Sequence, residues 1–257
     1  MPIAITREVS RSLGDCELSY LDRAAIDVER AIAQHADYCR ALESLGCDVI
    51  ALDAEGAFPD AVFVEDVAIV LDELAVATRP GAPSRRGEVA SVVAALGRHR
   101  TLRTIEAPAT IDGGDVLRIG RTIYVGESAR TSADGVAQLR AITADFGYTV
   151  QPVPIRGCLH LKSAVSELAD GVVLINPAWV DRAVFAAFDR IEIDFDEPHA
   201  ANALRIGDGA IYPASFPRTL QRIRGRGIAP TLVDVSELQK AEGAVTCCSL
   251  VFAGVLK

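Results

Sequence analysis

Short apolar runs alternate with helical periodicities along the whole chain. The stretch DVERAIAQHADYCRALESLG (27–46) spaces its apolar residues three and four apart and stops at Gly46, which predicts a helix. CDVIALD (47–53) follows and reads as a buried strand. RRGEVASVVAALG (85–97) predicts a second helix ending on a glycine. SADGVAQLRAITADFG (132–147) predicts a third, with Ser132 as its N-cap and Gly147 as its stop. WVDRAVFAAFD and RTLQRIRGRG carry further helical patterns. Beside these lie the strand-length runs VAIVL, LAVATR, DVLRIG, TIYVG, GVVLIN, ALRIG, AIYPA and TLVDV. Strands and helices that alternate throughout predict an α/β fold, here one domain over residues 1–257 with no long linker.

The pattern also repeats. FVEDVAIVLDELAVATRPG, IDGGDVLRIGRTIYVGES, LHLKSAVSELADGVVLINP, AANALRIGDGAIYPASFP and GAVTCCSLVFAGVLK each place a polar stretch just ahead of apolar strands. They recur at intervals of roughly 42 to 48 residues, within the range of repeat architectures. An open solenoid would leave one face free. A closed ring would aim one polar position of each unit at a shared centre. The acids, a histidine and the cysteines fall at corresponding places in the units, which favours the ring.

Composition narrows the partners. A net charge of −9 and a pI near 5.0 disfavour nucleic acid and anionic membranes and suit a small cationic substrate. No apolar run reaches the roughly 18 to 20 residues of a membrane span, and the N-terminus lacks a basic segment followed by an apolar one. The six cysteines are irregularly spaced, which argues against a disulfide framework. A cytoplasmic location is therefore expected, and a homodimer is left open.

Candidate chemistry sits in the repeat units. FPDAVFVEDV holds Asp60, Glu65 and Asp66 among apolar neighbours, where buried carboxylates need a cationic partner. A planar guanidinium matches such acids through paired N–H···O bonds. TIDGGDVL carries Asp112, Gly113, Gly114 and Asp115 and reads equally as an Asp-Gly turn. His160 is the one histidine of four that lies in a repeat unit; His35, His99 and His199 fall in a helix, a basic stretch and an acidic loop. Arg79, Arg85, Arg86 and Arg130 suit either anion binding or surface ion pairs. Read as a strand, GAVTCCSLVF puts Thr246, Cys248, Leu250 and Phe252 on one face and Val245, Cys247, Ser249 and Val251 on the other. The bulky face should pack on helices, so Cys247 is expected to be the reactive thiol and Cys248 core. No C-x-x-C spacing supports a zinc site.

Taken together, FPDAVFVEDV, TRPGAPSRRGE, IDGGDVL, VGESARTSADG, LHLKS, AAN and TCCSL resemble the dimethylarginine dimethylaminohydrolases. That family belongs to the guanidine-modifying superfamily of arginine deiminases and amidinotransferases. The resemblance runs over nearly the whole chain and implies a five-bladed ααβαβ propeller with pseudo-fivefold repeats around a central channel. By position it makes Cys247 the nucleophile, His160 the general acid/base and Asp112 the acid that orients that histidine. It puts Glu65 and Asp66 on the guanidinium, Asp60, Arg85 and Arg130 on the amino-acid end, and Leu18 in a mobile lid loop. Asp112 and Cys248 stand where some members carry Glu and Met.

The implied reaction is hydrolysis of Nω-methylated arginine to citrulline and an alkylamine through a covalent cysteine adduct. It needs no metal or organic cofactor. Two other activities share the fold: arginine deimination, or hydrolysis of another substituted guanidine. Deiminases are longer and carry an acid where this chain has Lys162. A non-catalytic amino-acid-binding protein would have no use for the full Cys/His/Asp set.

Overall fold

The computed structural model describes residues 1–254 and contains fifteen strands in five three-stranded sheets of one pattern. In four of them an antiparallel hairpin is followed, through a longer connection, by a parallel third strand. These are β3 (Ala68–Val70), β4 (Leu74–Ala77) and β5 (Thr101–Thr104); β6 (Val116–Ile119), β7 (Thr122–Glu127) and β8 (Thr149–Pro154); β9 (Val165–Ala169), β10 (Val172–Ile175) and β11 (Asp189–Glu192); and β12 (Leu204–Ile206), β13 (Gly209–Pro213) and β14 (Thr231–Val233). The fifth is drawn from both ends of the chain. β15 (Leu250–Ala253) pairs antiparallel with β1 (Pro2–Arg7), and β1 pairs parallel with β2 (Asp48–Leu52).

Helices fill the crossovers. α1 (Val28–Ser44) joins β1 to β2 and is capped by Asp27, whose side chain accepts from Arg30 N. α2 (Val89–Leu96) continues a 3-10 stretch over Pro83–Glu88. α3 (Ala133–Thr143) starts at the Ser132 cap, and the chain leaves the following 3-10 turn through Gly147 at φ 73°, as the sequence predicts. α4 (Leu161–Ala164), α5 (Pro217–Gly225) and α6 (Ser236–Gln239) complete the set.

The core is divided between sheets rather than held in one mass. Ile69 and Val76 pack with Val116, Val125 and Leu139, while Leu117 and Tyr124 pack with Val165, Val173 and Phe185. Leu168 and Leu174 meet Ala210, Tyr212 and Ile223; Ile206, Ile211 and Val233 meet Ala4, Tyr38 and Cys248. Ile5, Leu250 and Phe252 then pack with Val64, Ala75 and Leu96, so the last sheet is also joined to the first. Burying apolar surface between neighbours makes each unit depend on two others.

Several expectations need correction. β2 is partly exposed, not buried, because it is the outer strand of its sheet and pairs only with β1. WVDRAVFAAFD supplies only a 3-10 turn, Arg182–Phe185. The strand read through GAVTCCSLVF begins at Leu250; residues 245–248 form a turn, with Cys247 N donating to Ala244 O at 3.2 Å. Strict two-face alternation therefore does not hold there. Thr246, assigned to the packed face, points its hydroxyl to Glu65 instead.

Candidate active site

Each sheet is preceded by a polar turn, and the five turns are stitched together. Glu65 and Asp66 lie in a 3-10 turn, Val64–Val67, ahead of β3. Asp112 and Asp115 bracket the Gly-Gly turn ahead of β6. His160 caps α4 ahead of β9, Asn202 precedes β12, and Thr246 and Cys247 precede β15. Thr246 Oγ1 donates to Glu65 Oε2 at 2.8 Å, and Asn202 Nδ2 donates to Thr246 Oγ1 at 3.0 Å and to Lys162 O. Lys162 Nζ reaches Glu65 Oε1 at 2.5 Å, and Glu65 N donates to Cys247 O. Gly114 N donates to Asp66 Oδ1, and Leu161 N to Asp115 Oδ1. Buried polar groups require such satisfaction, and here it fixes the units against one another.

His160 is buried between carboxylates. Its Nε2 lies 3.2 Å from Asp112 Oδ2, and its Nδ1 is 3.7 Å from Asp66 Oδ1. Burial alone would favour the neutral ring. The charge of Asp66, the Asp112 hydrogen bond and the charge of Asp115 outweigh it and lift the imidazole to about 9. The histidine is thus an imidazolium at neutral pH. Asp66 is held at about 2: burial opposes its charge, but His160 and Arg85 more than compensate. Burial raises Asp115 to about 6 despite His160 and the hydroxyls of Ser128 and Thr131.

The Gly-Gly pair owes its place to crowding rather than to turn geometry. Neither glycine has a positive φ. A Cβ on Gly114 would stand 2.4 Å from His160 Nδ1 and 2.7 Å from Asp66 Oδ1, and one on Gly113 would stand 2.0 Å from Glu65 O.

Cys247 lines a cavity of ≈20 Å³ with His160, Asp66, Asp60, Arg85 and Arg130. Burial, then the charges of Glu65 and Asp66, push its thiol up to about 12. The resting cysteine is therefore protonated. Cys248 is fully buried against the helix α1 cluster. Its thiol is pushed up by burial as well. Glu65 and Asp112 do not line this cavity. Glu65 instead borders a second one of ≈250 Å³ with Lys162 and Thr246, so it lies in the floor between the two.

The arginines differ sharply. Arg85 is buried and almost saturated: Nε donates to Glu88, Nη1 to Asp66 Oδ2 at 2.5 Å, and Nη2 to Asp60 O, Phe63 O and Glu88 Oε2. Of its five N–H groups, one on Nη1 remains. Arg130 is less committed, with Nη2 on Ser19 Oγ at 3.0 Å and Nη1 3.9 Å from Asp112. Asp60 Oδ2 accepts from Glu17 N, and burial raises its carboxyl although Arg85 opposes this. Leu18 follows Glu17, which lines the cavity, but its own side chain packs on the α1 cluster.

Sequence reasoning passed over Thr246, Asn202, Glu88 and Glu242. The first two sit at the same place in their units as the acids do, and that correspondence was the available signal. Glu242 carries no such mark. Asp66, Asp112 and His160 offer three ligand atoms within 4.8 Å of one another, close enough for a cation. All three are already engaged, Asp66 by Arg85, Asp112 by Gly81 N, and His160 by Asp112.

This mixed α/β fold is of the pentein type. It matches the N-terminal domain of ArgZ bound to product, an arginine dihydrolase of cyanobacteria, at a TM-score of 0.87 over 98% of both chains with 20% identity. The chain belongs to the N,N-dimethylarginine dimethylhydrolase family, whose eukaryotic model matches residues 19–177. It is 38% identical to the N(G),N(G)-dimethylarginine dimethylaminohydrolase of Pseudomonas aeruginosa over 96% of this chain and 98% of that one. Identity to the enzyme of the same name from Streptomyces coelicolor is 40%, over 96% and 95%. The Pseudomonas aeruginosa enzyme, solved as a cysteine-to-serine variant complexed with citrulline, superposes at a TM-score of 0.93 with 37% identity, covering 97% of this chain and 98% of that one. Among the described residues no helix is long and apolar enough to cross a membrane.

Proposed function

We propose that this protein hydrolyses Nω-methylated L-arginines, asymmetric dimethylarginine and monomethylarginine, to citrulline and dimethylamine or methylamine. The observation that carries this reading is the charge pattern of the Cys247 cavity. A thiol pushed up to about 12 by burial and then by the charges of Glu65 and Asp66 faces the same cavity as an imidazolium at about 9. A bound guanidinium adds positive charge opposite Asp66 and Glu65, offsets their effect on the sulfur and stabilises the thiolate.

The five sheets act as the blades of a five-bladed ααβαβ propeller, with the polar turns gathered at its central channel. Cys247, its proton lost to solvent, attacks the guanidinium carbon. His160 donates its proton to the alkylated nitrogen, and the C–N bond breaks to release the amine. The neutral imidazole then takes a proton from water as its oxygen attacks the same carbon. The C–S bond breaks, and citrulline leaves. Such acid/base work is typically worth about 10²- to 10⁴-fold. Asp112 orients the ring. Asp66 faces the guanidinium, and Glu65 adds its charge from the floor where Lys162 and Thr246 hold it. Arg130 and the free Nη1 hydrogen of Arg85 receive the α-carboxylate, Asp60 the ammonium, and Leu18 travels with the covering segment. Six free cysteines suit a reducing, cytoplasmic setting.

Lys162 favours the methylated substrate. An acid at that position would grip a second pair of guanidinium N–H groups, which dimethylation removes; a buried carboxylate opposite methyls costs about 1–3 kcal/mol. Citrulline production from asymmetric dimethylarginine, monomethylarginine, symmetric dimethylarginine and arginine in competition tests the reading. The first two should be turned over far faster than the others. A preference for arginine overturns the substrate assignment, and no citrulline from any of the four overturns the reaction.

A further inference from the structure

Residues 17–26 start at the Cys247 cavity, which Glu17 lines, and run along an adjoining hollow bordered by Tyr20, Leu21, Asp22 and Ala24; Leu159, Glu242 and Gly243 line both. Among the described residues no main-chain hydrogen bond reaches residues 17–26; side chains of other segments hold them down. Glu242 makes more of those bonds than any other residue. Its Oε1 accepts from Tyr20 N at 2.5 Å, Leu21 N at 2.7 Å and Ser19 N at 3.0 Å, and its Oε2 also accepts from Ser19 N. Three consecutive backbone donors thus converge on one carboxylate. The adjoining hollow is largely apolar and measures ≈380 Å³, so the middle of the segment has little beneath it, while Leu18 and Ile26 pack on the α1 cluster near its two ends.

The backbone of Glu242 is equally telling. Just after α6 it adopts φ 59°, and no other described non-glycine residue has a positive φ. Glycine is the usual occupant of such a position after a helix, because a Cβ there is strained. The strain is offset by what the side chain does: from this bend it reaches the segment while also lining the cavity beside Cys247 and His160.

We propose that Glu242 is a positioning residue, a latch that holds the 17–26 segment closed over the site and so sets substrate affinity. This rests on the reading of the site given above. The cavity in the latched state is far too small for an arginine derivative, so the segment must open to admit one and close to complete the site. Substrate binds productively in proportion to the closed fraction, and a latch raises that fraction.

Glu242→Asn tests this, because asparagine tolerates the left-handed bend but its amide is too short to reach Ser19–Leu21. We expect KM for asymmetric dimethylarginine to rise about tenfold with kcat within about twofold, as a closed fraction near one-tenth implies. Amide hydrogen exchange at Ser19, Tyr20 and Leu21 should accelerate by a similar factor while Tm stays level or rises. Glu242→Gln keeps one accepting oxygen and should fall between the two. Exchange at those amides unchanged in Glu242→Asn overturns the latch. So does an unaltered KM, or a fall in Tm and kcat together that Gln does not relieve, which marks Glu242 as part of the fold. The exchange measurement needs no turnover, so it judges the latch even if dimethylarginine proves not to be the substrate.

Discussion

Replacing Asp112 with asparagine should uncouple the imidazole from its charge while leaving the chain folded. Asp112 is fully buried, accepts from Gly81 N through Oδ1 at 2.8 Å and faces His160 Nε2 through Oδ2 at 3.2 Å. Asparagine can keep the first bond, but its amide N–H₂ then meets Nε2 and favours the neutral ring. His160 stands at about 9 against an ordinary 6.5, a net preference for the charged form of about 3 kcal/mol. Burial works against that preference, Asp66 contributes most to it, and the Asp112 bond comes next. A hydrogen bond between charged partners contributes about 1.5–3 kcal/mol, so its loss should lower His160 by about one to two pH units. The assay is direct because the chain has only four histidines. Burial lowers His35 to about 4 and also lowers His199, so neither competes with a ring signal titrating near 9 in NMR spectra. The same shift appears in stability. A raised histidine contributes stability that is fully present below 6.5 and is lost as pH rises through about 9. Denaturant midpoints of the wild type should fall across that window, and those of Asp112→Asn should fall less. If no histidine titrates above about 8, or if Asp112→Asn leaves the signal where it was, the assignment of His160 as a carboxylate-held acid is wrong.

Cys247→Ser should abolish citrulline formation, whereas Cys248→Ser should retain turnover and lose about 1–3 kcal/mol in urea melts from a hydroxyl buried in an apolar cluster. Substantial turnover by Cys247→Ser would sink the nucleophile assignment. Gly114→Ala should cost at least 10²-fold in kcat, since the new methyl falls on His160 and Asp66; near-normal kinetics would mean the turn yields freely. Arg130→Ala should raise KM for methylarginines, with a smaller effect on an alkylamidine that has no carboxylate. Equal losses on both would assign Arg130 to holding Ser19 in place rather than to the substrate.

The α/β class, the five units and the polar turn ahead of each were legible because periodicity and repetition are local properties of the chain. β1, β5, β8 and β11 were not picked out, since short strands at the outside of a sheet or paired to distant segments carry little apolar signal; β5 has one half-buried and three exposed residues. Cys247 was chosen from a strand alternation that does not exist there. The resemblance pointed to the same residue, and the structure sets Cys247 on the cavity with His160 while Cys248 lies in the core. Arg85 was left between anion binding and a surface ion pair, because a sequence does not reveal that the side chain would be buried against both Glu88 and Asp66. Glu242 left no trace, for its task depends on donors more than two hundred residues away in the chain.

The sheet that unites the two ends of the chain also sets a schedule. Ile5 pairs with Leu250, so β1 leaves the ribosome with its inner edge bare and keeps it so until almost everything else has been made. An unpaired edge is a template for unwanted strand pairing, and contacts of such long sequence separation form late. Cys247, three residues before Leu250, arrives with the strand that closes that gap. Because Thr246 and Cys247 O also hold Glu65, a chain cut short before them should lack the closing strand, the last polar turn and the thiol that the proposed reaction uses, all at once.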